Sequence, residues 1–218
     1  MRSVLVATHN VVAMTIEMDV FQSLIKGRRS IRRYEPRPVD PETIEALLQA
    51  GTWAPSAHNR QPWRFAVLTG AESRETLARR MGDRLRQARL ADGDGTADVE
   101  ADVSRSYTRI TGAPLVIVAF LTLEDMDAYP DPGRQAAEHL MAVQGVAMAV
   151  NNVLLAAHAA DLGACWMCAP LFCSDAVVEA VGAPTHWQAQ ALITLGYPAS
   201  KGKSPVRRPS ADVVLARQ

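Results

Sequence analysis

Two kinds of apolar pattern alternate along this chain. Pro114–Leu121 and Ala189–Leu195 are continuous apolar runs with several β-branched residues, a pattern typical of strands that are buried on both faces at the centre of a sheet. Shorter runs predict two more strands, Trp63–Thr69 and Ala164–Met167. Between these strands the apolar residues recur at helical spacing. The order of elements therefore predicts an α+β fold.

The clearest helix start is at Asp40, which we expect to act as N-cap because Pro41 follows it at the first helical position. This helix is predicted to run to about Thr52. Gly163 is predicted to stop the long helix. The acidic, glycine-containing segment Ala91–Thr96 is predicted to be a flexible loop and is a candidate lid. Four further helices are predicted at Val20–Lys26, Ser73–Leu90, Gly133–Ala160 and Ser174–Val181.

The long helix raises the question of a membrane. Leu140–Ala160 carries no formal charge over 21 residues, which is close to the ~20 residues that span a bilayer. Amide side chains within it, Asn151 and Asn152 among them, would be costly in hydrocarbon. We therefore expect a central helix of the fold, packed at a subunit interface, and no membrane partner.

Length and charge narrow the class of protein. At 218 residues the chain is long enough for one well-buried domain. We expect a disordered extension at residues 1–18 and a single domain at residues 19–218. Acidic and basic residues balance at 23 each, so no overall charge draws the chain to nucleic acid or to an anionic membrane. Three closely spaced cysteines do not form a disulfide framework, which favours a reducing cytoplasm.

The segment Arg28–Tyr34, with the sequence RRSIRRY, is the first candidate for chemistry. Arginine suits bidentate recognition of phosphate. If Arg28, Ser30 and Arg32 lie on one face of an extended segment, they converge on a small anion. Two alternatives stay open at this point, an ordinary solvated face and a non-catalytic patch that binds nucleic acid.

A second candidate is the loop Ala54–Trp63, with the sequence APSAHNRQPW. The amides of Asn59 and Gln61 can both donate and accept hydrogen bonds, as the edge of a flat heterocycle requires. Proline on both sides stiffens the loop. A structural turn with solvent-facing polar groups explains the same residues equally well.

Together these segments resemble the flavin-dependent nitroreductase superfamily, whose members carry an RRS-x-R-like segment followed by a PS-x-x-N-x-QPW-like loop. The resemblance continues through LGACW at 162–166, APL at 169–171, LGYP at 195–198 and RRP at 207–209, and it covers the chain from about Val20 onward. It implies a mixed sheet flanked by helices, an intertwined homodimer, and two FMN molecules in pockets made by both subunits.

The resemblance also implies which residues contact the cofactor. Those matching the phosphate and ribityl contacts are Arg28, Arg29, Ser30 and Arg32, with Arg207, or alternatively Arg208, returning to the phosphate from the C-terminal part. Those matching the loop against the flavin ring are Pro55, Ser56 and Asn59. Those matching the segment along the central ring are Cys168, Ala169, Pro170 and Leu171. No catalytic side chain is expected, because the cofactor performs the chemistry.

The activity implied is hydride transfer from a nicotinamide, or another reduced donor, through FMN to a small nitro, quinone or enone-like acceptor by a ping-pong mechanism. No G-x-G-x-x-G motif is present, so a stably bound nicotinamide is not expected. Ala169 stands where dehalogenating members carry a hydroxyl residue, which disfavours that chemistry. A flavin-fragmenting enzyme of the same superfamily is an alternative.

A narrower resemblance, carried by AYPD at 128–131, AEH at 137–139 and LF at 171–172, is to the flavin domain of the actinobacterial deazaflavin-coenzyme glutamate ligase. It implies a reductase of a dehydro precursor of that coenzyme. The arginine-rich helix from Arg74 to Arg89 would then bind an anionic substrate, although a solvated helix face accounts for it as well.

The cysteines offer a competing hypothesis. Cys165 and Cys168, with Cys173, His158 and His186 nearby in sequence, have the residue types of a zinc site. Their irregular spacing and the predicted burial of the strand disfavour it. We expect no metal.

Overall fold

The computed structural model describes residues 16–215, so residues 1–15 of the predicted disordered extension lie outside the described residues. A four-stranded sheet forms the centre. Its strands are β1 (Trp63–Leu68), β2 (Leu115–Leu121), β3 (Gly163–Met167) and β4 (Gln188–Gly196). They lie in the order β1-β2-β4-β3, so β1 and β3 are the edge strands, and every neighbouring pair is antiparallel. One parallel pairing, an isolated bridge between Ser30 and Ala164, adds to the outer edge of β3.

Helices cover both faces of this sheet. They are α1 (Met18–Gly27), α2 (Pro41–Thr52), α3 (Ala71–Ala91), α4 (Thr96–Thr111), α5 (Pro132–Ala159) and α6 (Ser174–Val181). Helices α2 and α5 pack on one face, and α3, α4 and α6 on the other. The predicted α+β fold, a sheet flanked by helices, is confirmed. Asp40 occupies the predicted N-cap position of α2, although its side chain makes no capping hydrogen bond.

Strand β2 is the centre of the core. Every residue from Leu115 to Leu121 is fully buried, as the continuous apolar run predicted. Its alternate side chains enter different clusters. Ile117 packs with α2 and α5, whereas Val118 packs with α3 and α6. The two helical layers are therefore joined through one strand.

The long helix α5 is part of the core, as predicted. It begins at Asp131, whose carboxylate accepts a hydrogen bond from the Arg134 backbone N–H at 2.9 Å. Among the described helices it alone is long and apolar enough to cross a membrane by length and composition. One side of it is fully buried against the sheet and α2, with Ala149 and Val153 at 0% exposure. Core packing therefore accounts for the apolar residues on this side of the helix, whereas Leu140 and Met148 are exposed.

Helix α4 was not predicted. The connection predicted at Ala91–Thr96 is a short turn between α3 and α4, so the excursion between β1 and β2 is a helical hairpin. Val99, Val103 and Ile110 bury one side of α4 in an otherwise polar sequence. Whether the turn closes over a substrate stays a prediction.

The prediction that Gly163 stops the long helix was wrong. Helix α5 ends at Ala159, the chain turns through Asp161 with φ +56°, and Gly163 is already the first residue of β3. The reason for glycine here is packing. A Cβ on residue 163 would lie 2.7 Å from the Cβ of Ile31, closer than two carbon atoms can approach.

Candidate functional site

The segment after α1 is extended and is fixed to the outer edge of β3. The backbone N–H of Ile31 donates to the carbonyl oxygen of Ala164 at 3.0 Å, and the side chain of Ile31 is buried. Successive side chains of an extended segment point to opposite sides. Burial of Ile31 therefore leaves Ser30 and Arg32 on the exposed side, as the predicted anion site requires.

Tyr34 fixes the other end of this segment. Its hydroxyl lies 2.6 Å from the carbonyl oxygen of Ile31 and 2.8 Å from both the carbonyl oxygen and the hydroxyl oxygen of Thr194 on β4. Burial raises the pKa of Tyr34 well above its usual value. The phenol therefore stays protonated and acts as a neutral hydrogen-bonding anchor.

A cleft of about 530 Å³ lies beside this segment. The C-terminal part of the chain forms its second wall. Residues of the first wall are Arg28, Arg29, Ser30, Arg32 and Arg33, and those of the second are Ser200, Gly202, Lys203, Ser204, Pro205 and Arg207. Two stretches about 170 positions apart in sequence are thus brought together. Arg208, the alternative to Arg207, is not among the lining residues.

Glycine is required where the second wall crosses the first. Gly202 has φ +69°, and a Cβ there would lie 2.8 Å from Cδ1 of Ile31 and 3.0 Å from Cβ of Arg29. Neither the backbone angle nor the space suits another residue.

The sequence analysis did not identify Arg33 of the first wall, or Lys203 and the serines of the second wall. For the second wall, a run of Ser, Lys and Gly directly before Arg207 was a usable signal.

The cleft is strongly cationic. None of its lining residues carries a carboxylate. Within residues 16–215, no ion pair connects Arg28, Arg32 or Arg207 to an acidic side chain. Their charge is therefore available to a phosphate, with Ser30 as a hydroxyl donor.

Arg29 differs from the other arginines of the cleft. Its Nη1 donates to the carbonyl oxygens of Gly27 at 3.0 Å and Arg28 at 2.9 Å. These carbonyls lie at the C-terminus of α1, where a cation is favourable. Arg29 thus caps the helix that leads into the cleft, and a direct contact between Arg29 and a ligand stays a prediction.

The Pro55–Pro62 loop has an unusual backbone. His58, Asn59 and Gln61 have φ values of +49°, +53° and +50°, a region that residues other than glycine rarely occupy. Ser56 stabilises the turn, because its Oγ accepts a hydrogen bond from the Gln61 backbone N–H at 2.9 Å. Such strained residues concentrate at functional sites.

The loop and the cationic cleft are separate within one chain. Pro55, Ser56 and Asn59 do not line the cleft. Ser56 packs instead on α5, where a Cβ on Gly145 would lie 3.4 Å from Cβ of Ser56, and Pro55 and Asn59 are exposed. The predicted site residues of the loop thus lie outside the cleft that the arginine segment lines.

The segment after β3 forms a short 3₁₀ turn, Ala169–Phe172. Cys168 is exposed and Pro170 is buried, whereas Leu171 and Phe172 are 52% and 87% exposed. Cys173 follows, and its Sγ donates to the carbonyl oxygen of Ala169 at 3.4 Å. The turn therefore presents an apolar surface at the end of an edge strand.

The buried cysteines are not poised for metal binding. Burial raises the pKa of Cys165 above its usual value and that of Cys173 to about 11, so both keep their protons at neutral pH. No cluster of three metal-ligating side chains occurs among the described residues. The zinc hypothesis thus has no geometric support.

Four of the six arginines of α3 are paired with acidic residues of α4, of α6 or of the turn before α4. Arg80 pairs with Glu179 at 3.0 Å, Arg86 with Glu100 at 2.5 Å, and Arg84 with Asp175. Arg89 pairs with Asp94 and Asp102. These contacts join α3 to α4 and α6 and compensate most of the arginine charge of this helix.

A smaller cavity of about 260 Å³ lies between α3 and the 169–173 turn. Apolar side chains form most of it, among them Met81, Leu85 and Ala88 from α3 and Ala169 and Phe172 from the turn. The arginines beside it, Arg84 and Arg89, are the ion-paired ones. The cavity is suited to an uncharged apolar group.

Comparisons with known proteins identify the family of this chain. The nitroreductase family model matches residues 25–197. A protein named NADH dehydrogenase from Thermus thermophilus is 33% identical over 214 residues, covering 87% of this chain and 92% of that protein. A 5,6-dimethylbenzimidazole synthase from Rhodospirillum rubrum is 27% identical over 190 residues, covering 86% of each.

A solved structure extends the likeness to three dimensions. The crystal structure of a protein assigned as a nitroreductase from Desulfovibrio desulfuricans, in complex with FMN, has a TM-score of 0.70 to this chain. The two are 30% identical, and the alignment covers 93% of this chain and 99% of that one. The family model spans the arginine segment and all four strands of the sheet. The chain therefore belongs to the nitroreductase family of FMN-dependent oxidoreductases.

Proposed function

We propose that FMN lies along the outer edge of β3, with its phosphate in the cationic cleft and its ring on the Cys168–Leu171 segment. The observation that carries this proposal is the cleft itself, where Arg28, Arg32 and Arg207 lack acidic partners among residues 16–215. A phosphate dianion neutralises such a cluster with charge-assisted hydrogen bonds.

The length of the edge supports the same placement. Ser30 pairs with Ala164 near the start of β3, and the ring-binding segment begins four residues later at Cys168. A strand advances about 3.3 Å per residue, so these points are on the order of 13 Å apart. That span suits a ligand with a phosphate at one end and a flat ring system at the other.

The pocket is completed in a homodimer. The strained loop with Pro55, Ser56 and Asn59 does not line the cleft of its own chain, and we propose that it contacts the flavin ring bound to a second chain. Exposed apolar side chains on α1, Val20, Phe21 and Ile25, and on α5, Leu140 and Met148, supply surface for such an interface.

Bound FMN supplies hydride acceptance and donation, and the chain's own residues bind and orient it. We propose a nicotinamide as the donor, in agreement with the name of the Thermus thermophilus relative. Donor and acceptor use the site in turn, which gives ping-pong kinetics. No side chain near the turn is required to move a proton.

The acceptor is proposed to be a small electrophile of the nitro, quinone or enone class. The apolar cavity beside Ala169 adjoins the ring end of the proposed FMN site, and the arginines around it are neutralised by Asp175, Asp94 and Asp102. An anionic acceptor would find no unpaired cation there. A dehydro precursor of the deazaflavin coenzyme is therefore the less favoured substrate.

The test is the visible absorption spectrum of the protein purified without added cofactor, before and after anaerobic NADPH. An oxidised-flavin spectrum that bleaches and is restored by a quinone supports the proposal. A colourless protein that cannot be reconstituted with FMN would contradict it. A flavin spectrum that persists with NADPH would require another reductant.

The likeness to a 5,6-dimethylbenzimidazole synthase supplies a second candidate, fragmentation of reduced flavin. The same reduced sample, exposed to oxygen, distinguishes the two. Recovery of the full flavin absorbance shows an oxidoreductase. Loss of flavin with formation of dimethylbenzimidazole shows the fragmenting enzyme.

A further inference from the structure

The strained loop is held through one of its own residues, Arg60, and through two acidic residues outside it, Asp127 and Glu138. We propose that Arg60, Asp127 and Glu138 are positioning residues that keep the Ser56–Gln61 backbone in the conformation that presents Asn59 to the flavin ring. This inference rests on the proposed function, because it assigns a role at the same site.

The backbone conformation of the loop is costly. Three residues with a side chain, His58, Asn59 and Gln61, occupy the left-handed region. Such a conformation persists only where surrounding contacts determine it. The local contacts are few. Asn59 N–H donates to the Ser56 carbonyl oxygen at 3.0 Å, and Gln61 N–H donates to Ser56 Oγ at 2.9 Å.

A contact from outside the loop also stabilises its conformation. Arg60 lies between the strained residues, and its Nη2 pairs with Oδ1 of Asp127 at 2.6 Å. The loop is fixed again at its end, because the Thr122 N–H donates to the Pro62 carbonyl oxygen at 2.9 Å. The segment that follows β2 therefore holds the loop at two points.

Asp127 is in turn held by a residue of α5. Its backbone N–H donates to Oε1 of Glu138 at 3.1 Å. Glu138 lies on α5 and is fully buried. Burying a carboxylate is costly unless hydrogen bonds compensate it. Among residues 16–215, the hydrogen bond from the Asp127 backbone N–H is the one that the Glu138 side chain accepts. The buried carboxylate thus serves to place Asp127, which in turn places Arg60.

Positioning has a measurable consequence for the flavin. Amide donors held at the ring favour the electron-rich reduced form over the oxidised form. Loosening the loop should therefore weaken binding of reduced FMN more than binding of oxidised FMN. General destabilisation of the fold would change both affinities alike.

The experiment compares Asp127→Asn, Arg60→Gln and the double variant with the wild-type holoenzyme. Asp125→Asn is the matched control, because it makes the same change two positions away at a residue whose pairing with Arg64 is long, 3.6 Å, and exposed. The ratio of affinities for reduced and oxidised FMN is measured by anaerobic equilibration with a dye of known potential. Circular dichroism verifies folding, which these half-exposed positions should not endanger.

We expect each single variant to lower the ratio about tenfold, which is about 30 mV for a two-electron couple. The double variant should show the same shift as either single one, because the residues act as one chain. Wild-type ratios in Asp127→Asn and Arg60→Gln would overturn the inference while FMN binding stands. A wild-type protein that binds no FMN would instead reject the proposed function.

Discussion

The hydroxyl of Tyr34 lies 2.8 Å from the hydroxyl and from the carbonyl oxygen of Thr194, a residue 160 positions further along the chain. This contact fastens the arginine segment to the central sheet. Thr194 is 1% exposed, so its hydroxyl depends on Tyr34 for a partner. The arginine segment is therefore attached directly to the central strand β4.

Tyr34→Phe should lower the free energy of unfolding by about 1 to 3 kcal/mol, because it leaves a buried hydroxyl without its partner. Tyr107→Phe, at a partly exposed position on α4, should change stability by less than about 0.5 kcal/mol. Urea unfolding of both variants checks this. Equal stability of the two variants would show that the Tyr34 contact contributes nothing.

Arg28→Ala and Arg207→Ala should each lower the affinity for FMN by about one to two decades, since a hydrogen bond to a charged group contributes about 1.5 to 3 kcal/mol. Arg208→Ala removes the same charge from a residue that does not line the cleft and should change the affinity much less. Fluorescence titration with FMN measures all three. An equal loss in Arg208→Ala would mean that net charge, and not the cleft, determines binding.

Gly163→Ala should destabilise the fold by about 1 to 3 kcal/mol, because the new Cβ would overlap the side chain of Ile31. Gly133→Ala is the matched control. It lies in the first turn of α5, where a Cβ meets only an Asp131 oxygen at 3.4 Å and alanine favours the helix. Thermal unfolding should show a lower Tm for the first variant and an unchanged or higher Tm for the second.

Sequence patterns predicted the elements that carry long apolar runs and missed those that depend on tertiary contacts. Strand β2 was identifiable because each of its residues is apolar. Helix α4 was missed because only Val99, Val103 and Ile110 mark its buried side, and the glycine-containing turn before it suggested a loop. Gly163 was misassigned because its local sequence resembles a helix stop, whereas the side chain of Ile31 determines it.

The same limit applies to the site. The arginines and Ser30 were visible as a motif, but the wall formed by residues 200–207 depends on how the chain returns to them. The ion pair from Arg60 to Asp127 joins residues 67 positions apart, and no local pattern indicates it. Motifs identified the chemistry, and the tertiary fold determined which residues share a cleft.

Stability should fall as the pH rises from about 9 to 11. Burial raises the pKa of Cys173 to about 11 from 9.0, so between these values the unfolded chain loses a proton that the folded chain keeps. Stability therefore decreases as the pH rises through this window. Cys173→Ala should make the decrease smaller, by on the order of 1 to 2 kcal/mol at pH 11. Urea unfolding at pH 8 and pH 11 gives the loss of unfolding free energy for the wild type and for Cys173→Ala. An equal loss in the two proteins would contradict the role of Cys173.

The cavity between α3 and the 169–173 turn provides the test of acceptor class. Ala88 lines this cavity, and Gln87 is the adjacent exposed residue on α3 that does not. Ala88→Phe should raise KM for an uncharged quinone about tenfold, because the new ring occupies the space that the acceptor needs, whereas Gln87→Phe should leave KM near the wild-type value.

Reduction of the enzyme by the nicotinamide donor, followed as bleaching of the flavin in the absence of acceptor, should be the same in all three proteins. If Ala88→Phe slows that bleaching as well, the added ring disturbs the flavin and the cavity is not a separate acceptor site; an unchanged KM would exclude the cavity from the reaction.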